Sequence, residues 1–112
     1  MLENDLQCLE EAIFAINRIQ EYTLKTPTKE LFVANYQAHD AVLMQFIVLG
    51  ESCNRMSISL KAANPQIDWR GANDFRNFLA HDYFGVSDDV VWSVVQFHLP
   101  QLKSEFENLL SK

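Results

Sequence analysis

Leu2, Leu6, Leu9, Ile13 and Ile16 follow one another at intervals of 4, 3, 4 and 3 residues. That rhythm draws an apolar stripe along a helix over about residues 2–23, and it excludes the two-residue alternation of a half-buried strand. Glu3, Asp5, Glu10, Glu11 and Glu21 fall mostly on the other side. The stripe predicts a core or a dimer seam and carries no chemistry. Thr26-Pro27 then marks a restart, with Thr26 as the cap and Pro27 at the first helical position. A second helical stretch is expected over about residues 27–60, with a break near Asn35, and places Phe32, Tyr36, His39, Leu43, Phe46, Ile47 and Gly50 along one side. Val42 to Leu49 is apolar except for Gln45, which makes this helix central. Gly50 lowers its helix propensity by about 1 kcal/mol relative to Ala, a loss that close approach of another helix explains.

Asn64-Pro65 ends the second stretch, and Asp68 is the candidate cap of a third helix over about residues 68–83. Gly85 supplies a left-handed stop. Ser87-Asp88-Asp89 combines a cap with two acids in a first turn and starts a mostly apolar helix through Val90, Val91, Trp92, Val94, Val95 and Phe97. Pro100 kinks or restarts it, and Leu102, Phe106, Leu109 and Leu110 close the chain amphipathically. Only 3 Gly and 3 Pro beside 48% hydrophobic residues argue against a turn-rich β fold. The expected fold is all-α: one domain over residues 1–112, an antiparallel bundle of four long helices plus a short C-terminal helix.

No apolar stretch is long enough to span a membrane, and Met1-Leu2-Glu3-Asn4-Asp5 lacks the basic start of a secretion signal, so a soluble, cytoplasmic protein is expected. Cys8 and Cys53 share no motif spacing and read as two buried thiols in a reducing compartment. His39, His81 and His98 are widely separated, no Glu-x-x-His pair occurs, and no metal or cofactor is expected.

The chemistry concentrates in Arg76-Asn77-Phe78-Leu79-Ala80-His81-Asp82-Tyr83, which brings a cation, an imidazole and a phenol together. On a regular helix Arg76 and Tyr83 share a face to within about 20°, Asn77 and His81 stack at i,i+4, and Arg76 and His81 stand about 140° apart. Those two converge on one ligand through the length of Arg, through a distorted last turn, or through a second copy of the helix. On spacing alone a purely structural use comes first, with Arg76 on a surface carboxylate and His81 capping carbonyls at its own helix end. Glu51, directly after the buried run, either faces water or pairs with a basic neighbour such as Arg76. The net charge of −6 opposes broad nucleic-acid binding. Residues 52–81 nevertheless hold Arg55, Lys61, Arg70 and Arg76 against Asp68 and Asp74, a local surplus of two positive charges that could hold RNA transiently.

Arg-x4-His-x-Tyr, with Asn directly after the Arg and the run Ala80-His81-Asp82-Tyr83-Phe84-Gly85, resembles the HepT-like toxins of the HEPN superfamily. Ile47-Val48-Leu49-Gly50-Glu51-Ser52, Ile67-Asp68-Trp69-Arg70, Val90-Val91-Trp92 and Leu99-Pro100-x-Leu102 extend the resemblance over most of the chain in family order. The resemblance implies a HEPN-like homodimer with a composite cleft. It implies the toxin of a type VII-like toxin–antitoxin pair, a metal-independent endoribonuclease cutting single-stranded RNA. Arg76 and His81 would be catalytic, with Asn77 and Glu51 supporting them. It further implies AMP transfer to Tyr83 by a cognate MntA-like nucleotidyltransferase antitoxin. A different class of reading is a non-catalytic helical partner that presents substrate to a minimal nucleotidyltransferase. A third is a bare dimeric scaffold.

Overall fold

The computed structural model describes all of residues 1–112. It is helical without a strand: α1 (Glu3–Leu24), α2 (Lys29–Ala34), α3 (Tyr36–Asn54), α4 (Ile58–Ala63) and α5 (Trp69–His81) are followed by a 3-10 turn (Tyr83–Gly85). Then α6 (Asp88–Ser93) runs through a π turn (Val94–His98) directly into α7 (Leu99–Leu110). The all-α bundle is thus present, with α1, α3, α5 and the α6–α7 rod as its long members. No helix is long and apolar enough to cross a membrane.

The core lies where α1, α3, α5 and the α6–α7 rod meet, and Leu9, Ile16, Leu43, Leu79, Leu99 and Phe106 are among its fully buried members. Asn4, at the start of α1, donates to the carbonyl of Arg55 just past the end of α3, so the two helices run antiparallel. The buried face of α1 is Asp5, Cys8, Leu9, Ala12, Ala15, Ile16, Ile19 and Thr23. This corrects the expected stripe. Leu2 and Leu6 are exposed, because small Ala and Cys residues, invisible to a search for large apolar side chains, let α3 come close from another angle. Asp5, read as solvent-facing, is buried: its carboxylate accepts from the Ser57 amide at 2.7 Å and the Ser57 hydroxyl at 2.6 Å, tying α1 to the corner before α4.

The second stretch breaks at Asn35 as expected and once more beyond Asn54, which makes it three helices. Asn35 closes α2 and caps α3, its Oδ1 accepting from the Ala38 amide at 3.0 Å. The α3 helix ends at Asn54, and Ser57 caps α4 through the Leu60 amide at 3.1 Å. Thr28, not Thr26, caps α2 by accepting from the Leu31 amide at 3.2 Å. Thr26 is buried, so Pro27 precedes the cap instead of opening the helix. Asp68 does cap α5, accepting from the Gly71 amide at 2.9 Å.

Gly85 is not a left-handed stop, since no glycine has a positive φ. The α5 helix is ended by Asp82, which leaves helical geometry at φ −144°, ψ 63° and accepts from the Gly85 amide at 3.1 Å. Pro100 stands in the first turn of α7, where the restart was expected: a proline ring collides with the carbonyl four residues back in a regular helix, and the π turn ahead of it widens the backbone there.

Gly50 is the close approach expected of it. A Cβ there would overlap the Cβ of Arg76 and lie 2.8 Å from its Cγ and 3.1 Å from the Ala72 carbonyl oxygen, so α3 and α5 touch backbone to backbone. Gly50→Ala is expected to destabilise by about 1–3 kcal/mol, the overpacking outweighing the gain in helix propensity. Asp5→Ala, which strands the Ser57 amide, is expected to cost a similar 1–3 kcal/mol or so. Urea midpoints at unchanged slope would check both, and a Gly50→Ala variant as stable as wild type would refute the close-packing account.

Candidate active site

The sequence of α5 aims its two key side chains differently. Arg76 lies against the Gly50 notch of α3, where its Nη2 donates to the Glu51 carboxylate and its Nη1 donates to Asn77 Oδ1 at 2.8 Å. Its Nε is buried without a partner. Glu51 therefore pairs with Arg76, one of the two positions open to it. Asn77 turns its oxygen to Arg76, so that oxygen does not orient His81 one turn further on.

His81 is the last residue of α5, exposed at the helix end. The α5 helix stays regular up to it, so no distorted last turn brings it round to Arg76. Tyr83, like Arg76, reaches a carboxylate of α3, but from outside the helix and nearer the start of α3. The non-helical Asp82 intervenes, and the Tyr83 hydroxyl donates to Asp40 Oδ1 at 2.5 Å, near the start of α3.

That contact opens a second cluster that spacing did not assemble. Asp40 Oδ1 also meets His39 Nδ1 at 3.2 Å, and His39 Nε2 meets Asp88 Oδ1 at 2.8 Å in the first turn of α6. His39 is packed against Phe32, ring centroids 5.3 Å apart, and Phe32 against Trp92 at 5.4 Å. Next to it Lys29 of α2 pairs with Asp89 at 2.5 Å. The Tyr83 phenol is pushed up to about 12, first by burial and then by Asp40 as hydrogen-bond acceptor and negative charge. The Asp40 carboxyl is held below its ordinary value, first by the bond from Tyr83 and then by that from His39. The only signal in the sequence was the adjacency His39-Asp40, which by itself carried no chemistry.

The local surplus of positive charge around α5 is largely neutralised. Arg55 donates to Glu11 of α1 at 2.6 Å, Arg70 pairs with Asp74 at 3.6 Å and Arg76 with Glu51. Counting charges within residues 52–81 left out the carboxylates that α1 and α3 bring across. Cys8 and Cys53 are both buried and free, and burial pushes the Cys53 thiol up to about 12, which removes it from nucleophilic chemistry. An apolar cavity of about 270 Å³ between α3, α5 and α7 is lined by Phe46, Leu49, Phe75 and Leu102, with Asp68 and His98 as its polar groups. None of Arg76, His81 and Tyr83 reaches it, so the chemistry lies elsewhere.

Comparison with known proteins gives this geometry its relatives. The family model described as Ribonuclease HepT-like matches residues 10–109. A probable ribonuclease HepT from Thermococcus cleftensis is 33% identical over 101 residues, covering 90% of this chain and 91% of that protein. Two proteins of Methanocaldococcus jannaschii are also similar. One, named as a candidate RNase, is 26% identical over 88% of this chain and 90% of its own length. The other, named as a gamma-glutamylcyclotransferase and candidate RNase, is 28% identical over 93% of this chain but only 46% of its own length. No solved structure matches.

The Tyr83–Asp40 contact has a pH signature. Folded Tyr83 keeps its proton above the value of an unfolded tyrosine, so its contribution to stability is complete below about pH 10 and disappears as pH rises toward about 12. Asp40 behaves oppositely, contributing fully above about pH 4 and losing that contribution as pH falls through its lowered value. Phenolate absorbance should show one of the 3 tyrosines lagging the others in the wild type, and moving part of the way back in Asp40→Asn. Three tyrosines titrating together would contradict the contact.

Proposed function

This chain belongs to the HepT-like ribonuclease family, and we propose that it is the toxin of a type VII-like toxin–antitoxin pair, a metal-independent endoribonuclease acting on single-stranded RNA in the cytoplasm. The observation that carries the reading is the division of labour on α5: a cation fixed at the α3 crossing and an imidazole left free at the helix end. Arg76 holds the scissile phosphate and stabilises charge on its non-bridging oxygens, with Glu51 and Asn77 fixing the guanidinium. His81 moves a proton at the 2′-hydroxyl or at the leaving 5′-oxygen. The 2′-oxygen attacks phosphorus, the bond to the 5′-oxygen breaks with that oxygen taking a proton, and a 2′,3′-cyclic phosphate remains.

One α5 cannot turn both groups to one phosphate, because they stand about 140° apart on a regular helix and Arg76 is drawn toward α3. A second copy supplies the missing group. Its seat is the exposed face of α1 and α3, where Phe14 and Val48 line one shallow groove and Met44 lies one turn before Val48. Glu51 follows Val48 at i+3, so that face borders the Arg76 pair. In the same reading a cognate MntA-like nucleotidyltransferase silences the toxin by placing AMP on Tyr83, adding negative charge and bulk beside the cleft.

The occupation of Arg76 by Glu51 favours one rival, a binding subunit that presents substrate to a nucleotidyltransferase without cutting RNA. Cleavage of mixed RNA in EDTA separates them. Wild type should cut, and His81→Ala and Arg76→Ala should each lose about 10²–10⁴-fold. Intact mass verifies that the chain is unmodified. No cleavage by unmodified wild type, or full cleavage without His81, would sink the nuclease reading. Light scattering should give twice 12.9 kDa, and Val48→Glu should halve that mass and abolish cutting although Val48 touches no reacting group. A Val48→Glu protein that stays dimeric would remove the α1–α3 face from the interface.

A further inference from the structure

The proposed nuclease uses Arg76 and His81, and it leaves unexplained why a phenol is bonded so closely to a carboxylate on another helix. Tyr83, half-buried in its 3-10 turn, gives its proton to the hydrogen bond with Asp40 Oδ1 at 2.5 Å. Asp40 itself is exposed, so a reagent reaching the phenol oxygen is not screened by overlying chain. The other two tyrosines have no such partner: Tyr36 is 78% exposed, and Tyr22 packs against the core.

We propose that Asp40 is the proton acceptor that makes Tyr83 a nucleophile toward the α-phosphorus of a nucleoside triphosphate, with His39 and Asp88 as positioning residues that hold Asp40 in place. The inference rests on the reading of Tyr83 as the nucleotide acceptor and assigns its activation to this chain rather than to the transferring enzyme alone. In the step, the Tyr83 O–H bond breaks and its proton passes to Asp40 Oδ1. The phenol oxygen forms a bond to the α-phosphorus. The bond from that phosphorus to the oxygen bridging the β-phosphate breaks, and pyrophosphate leaves with the electron pair. Asp40 then returns its proton to water, leaving a tyrosyl phosphodiester.

The need for an acceptor follows from the phenol. A tyrosine pushed up to about 12 is ionised at neutral pH only to the extent of about one part in 10⁵, so attack as free phenolate is slow. A carboxylate already aligned with the O–H can take the proton as the phosphorus–oxygen bond forms and the phenol acidifies. Asp40 is held ionised by its two bonds and is ready at any pH above its own titration. The charged groups facing the phenol are His39 and Asp40 from α3 and Asp88 from α6, while Lys29 of α2 is engaged with Asp89. The His39 ring reaches a carboxylate with each nitrogen, Asp40 Oδ1 with Nδ1 and Asp88 Oδ1 with Nε2, and so links Asp40 to α6 and helps hold its direction.

The test uses the intact protein with diisopropyl fluorophosphate, a phosphorus electrophile that needs no partner enzyme, and locates the adduct by peptide mass. Wild type should react at Tyr83 ahead of Tyr22 and Tyr36, at a rate nearly flat between about pH 6 and 9, because the acceptor is ionised and the phenol neutral throughout. Asp40→Asn should react at least about tenfold more slowly at pH 7 and climb about tenfold per pH unit, the signature of free phenolate. His39→Gln should slow the reaction while keeping the flat profile. Equal rates in wild type and Asp40→Asn, a wild-type rate that climbs with hydroxide, or no preference for Tyr83 would each overturn the proposal, provided circular dichroism shows the variants folded. AMP transfer from ATP by a nucleotidyltransferase encoded beside this chain is measured separately. Wild type that accepts no AMP, with the fluorophosphate profile intact, would refute the antitoxin reading and leave the activated phenol standing.

Discussion

The ion pair between Arg76 and Glu51, formed where α5 crosses α3 at Gly50, fixes the arrangement on which the rest of the molecule depends. The two side chains are 28% and 42% exposed, so their attraction is worth about 1 kcal/mol or less and cannot be what holds the bundle together. Its importance is directional. With no side chain at Gly50 the helices approach until Arg76 has only one way to lie, and Glu51 and Asn77 take two of its nitrogens. On the proposed reading, a phosphate arriving there meets a guanidinium already oriented but already occupied, so binding would exchange one anion for another.

Much of this was legible in the sequence for physical reasons. Helical spacing and scarce turn residues identify an all-α bundle, and Asp68 and Ser87 announce helix starts because short polar side chains satisfy free amides. Gly50 announced a close approach because little else explains a glycine inside a buried apolar run. The errors were equally physical. The face of α1 was misjudged because Ala12, Ala15 and Cys8 carry the contact with little hydrophobic bulk, and because Asp5 is buried through partners 52 residues away. The α5 helix was extended two residues past its end, and no local spacing could show that the phenol beyond it reaches Asp40 of α3.

The pairings that span the chain were out of reach for a related reason. Asp40 to Tyr83 and His39 to Asp88 join residues 43 and 49 positions apart, and neither has a local spacing to betray it. The apparent positive charge near α5 failed in the same way, since Glu11 and Glu51 come from helices outside the counted window. Local rules recover elements and their ends, and it takes the packing of those elements to decide which charges remain available to a ligand.

The π turn at Val94–His98 has a consequence for how this chain can vary. Val91, Val95 and Leu99 are buried at successive spacings of four, which on a regular helix would drift by about 40° per step. The wider turn absorbs that drift and keeps the three on one line. Excising one residue there would restore a regular helix but swing the apolar side of α7 by about 100° away from α1. Exposed Gln96 and Phe97 can therefore be exchanged freely in kind, while the number of residues between Val95 and Leu99 is fixed by the core on either side.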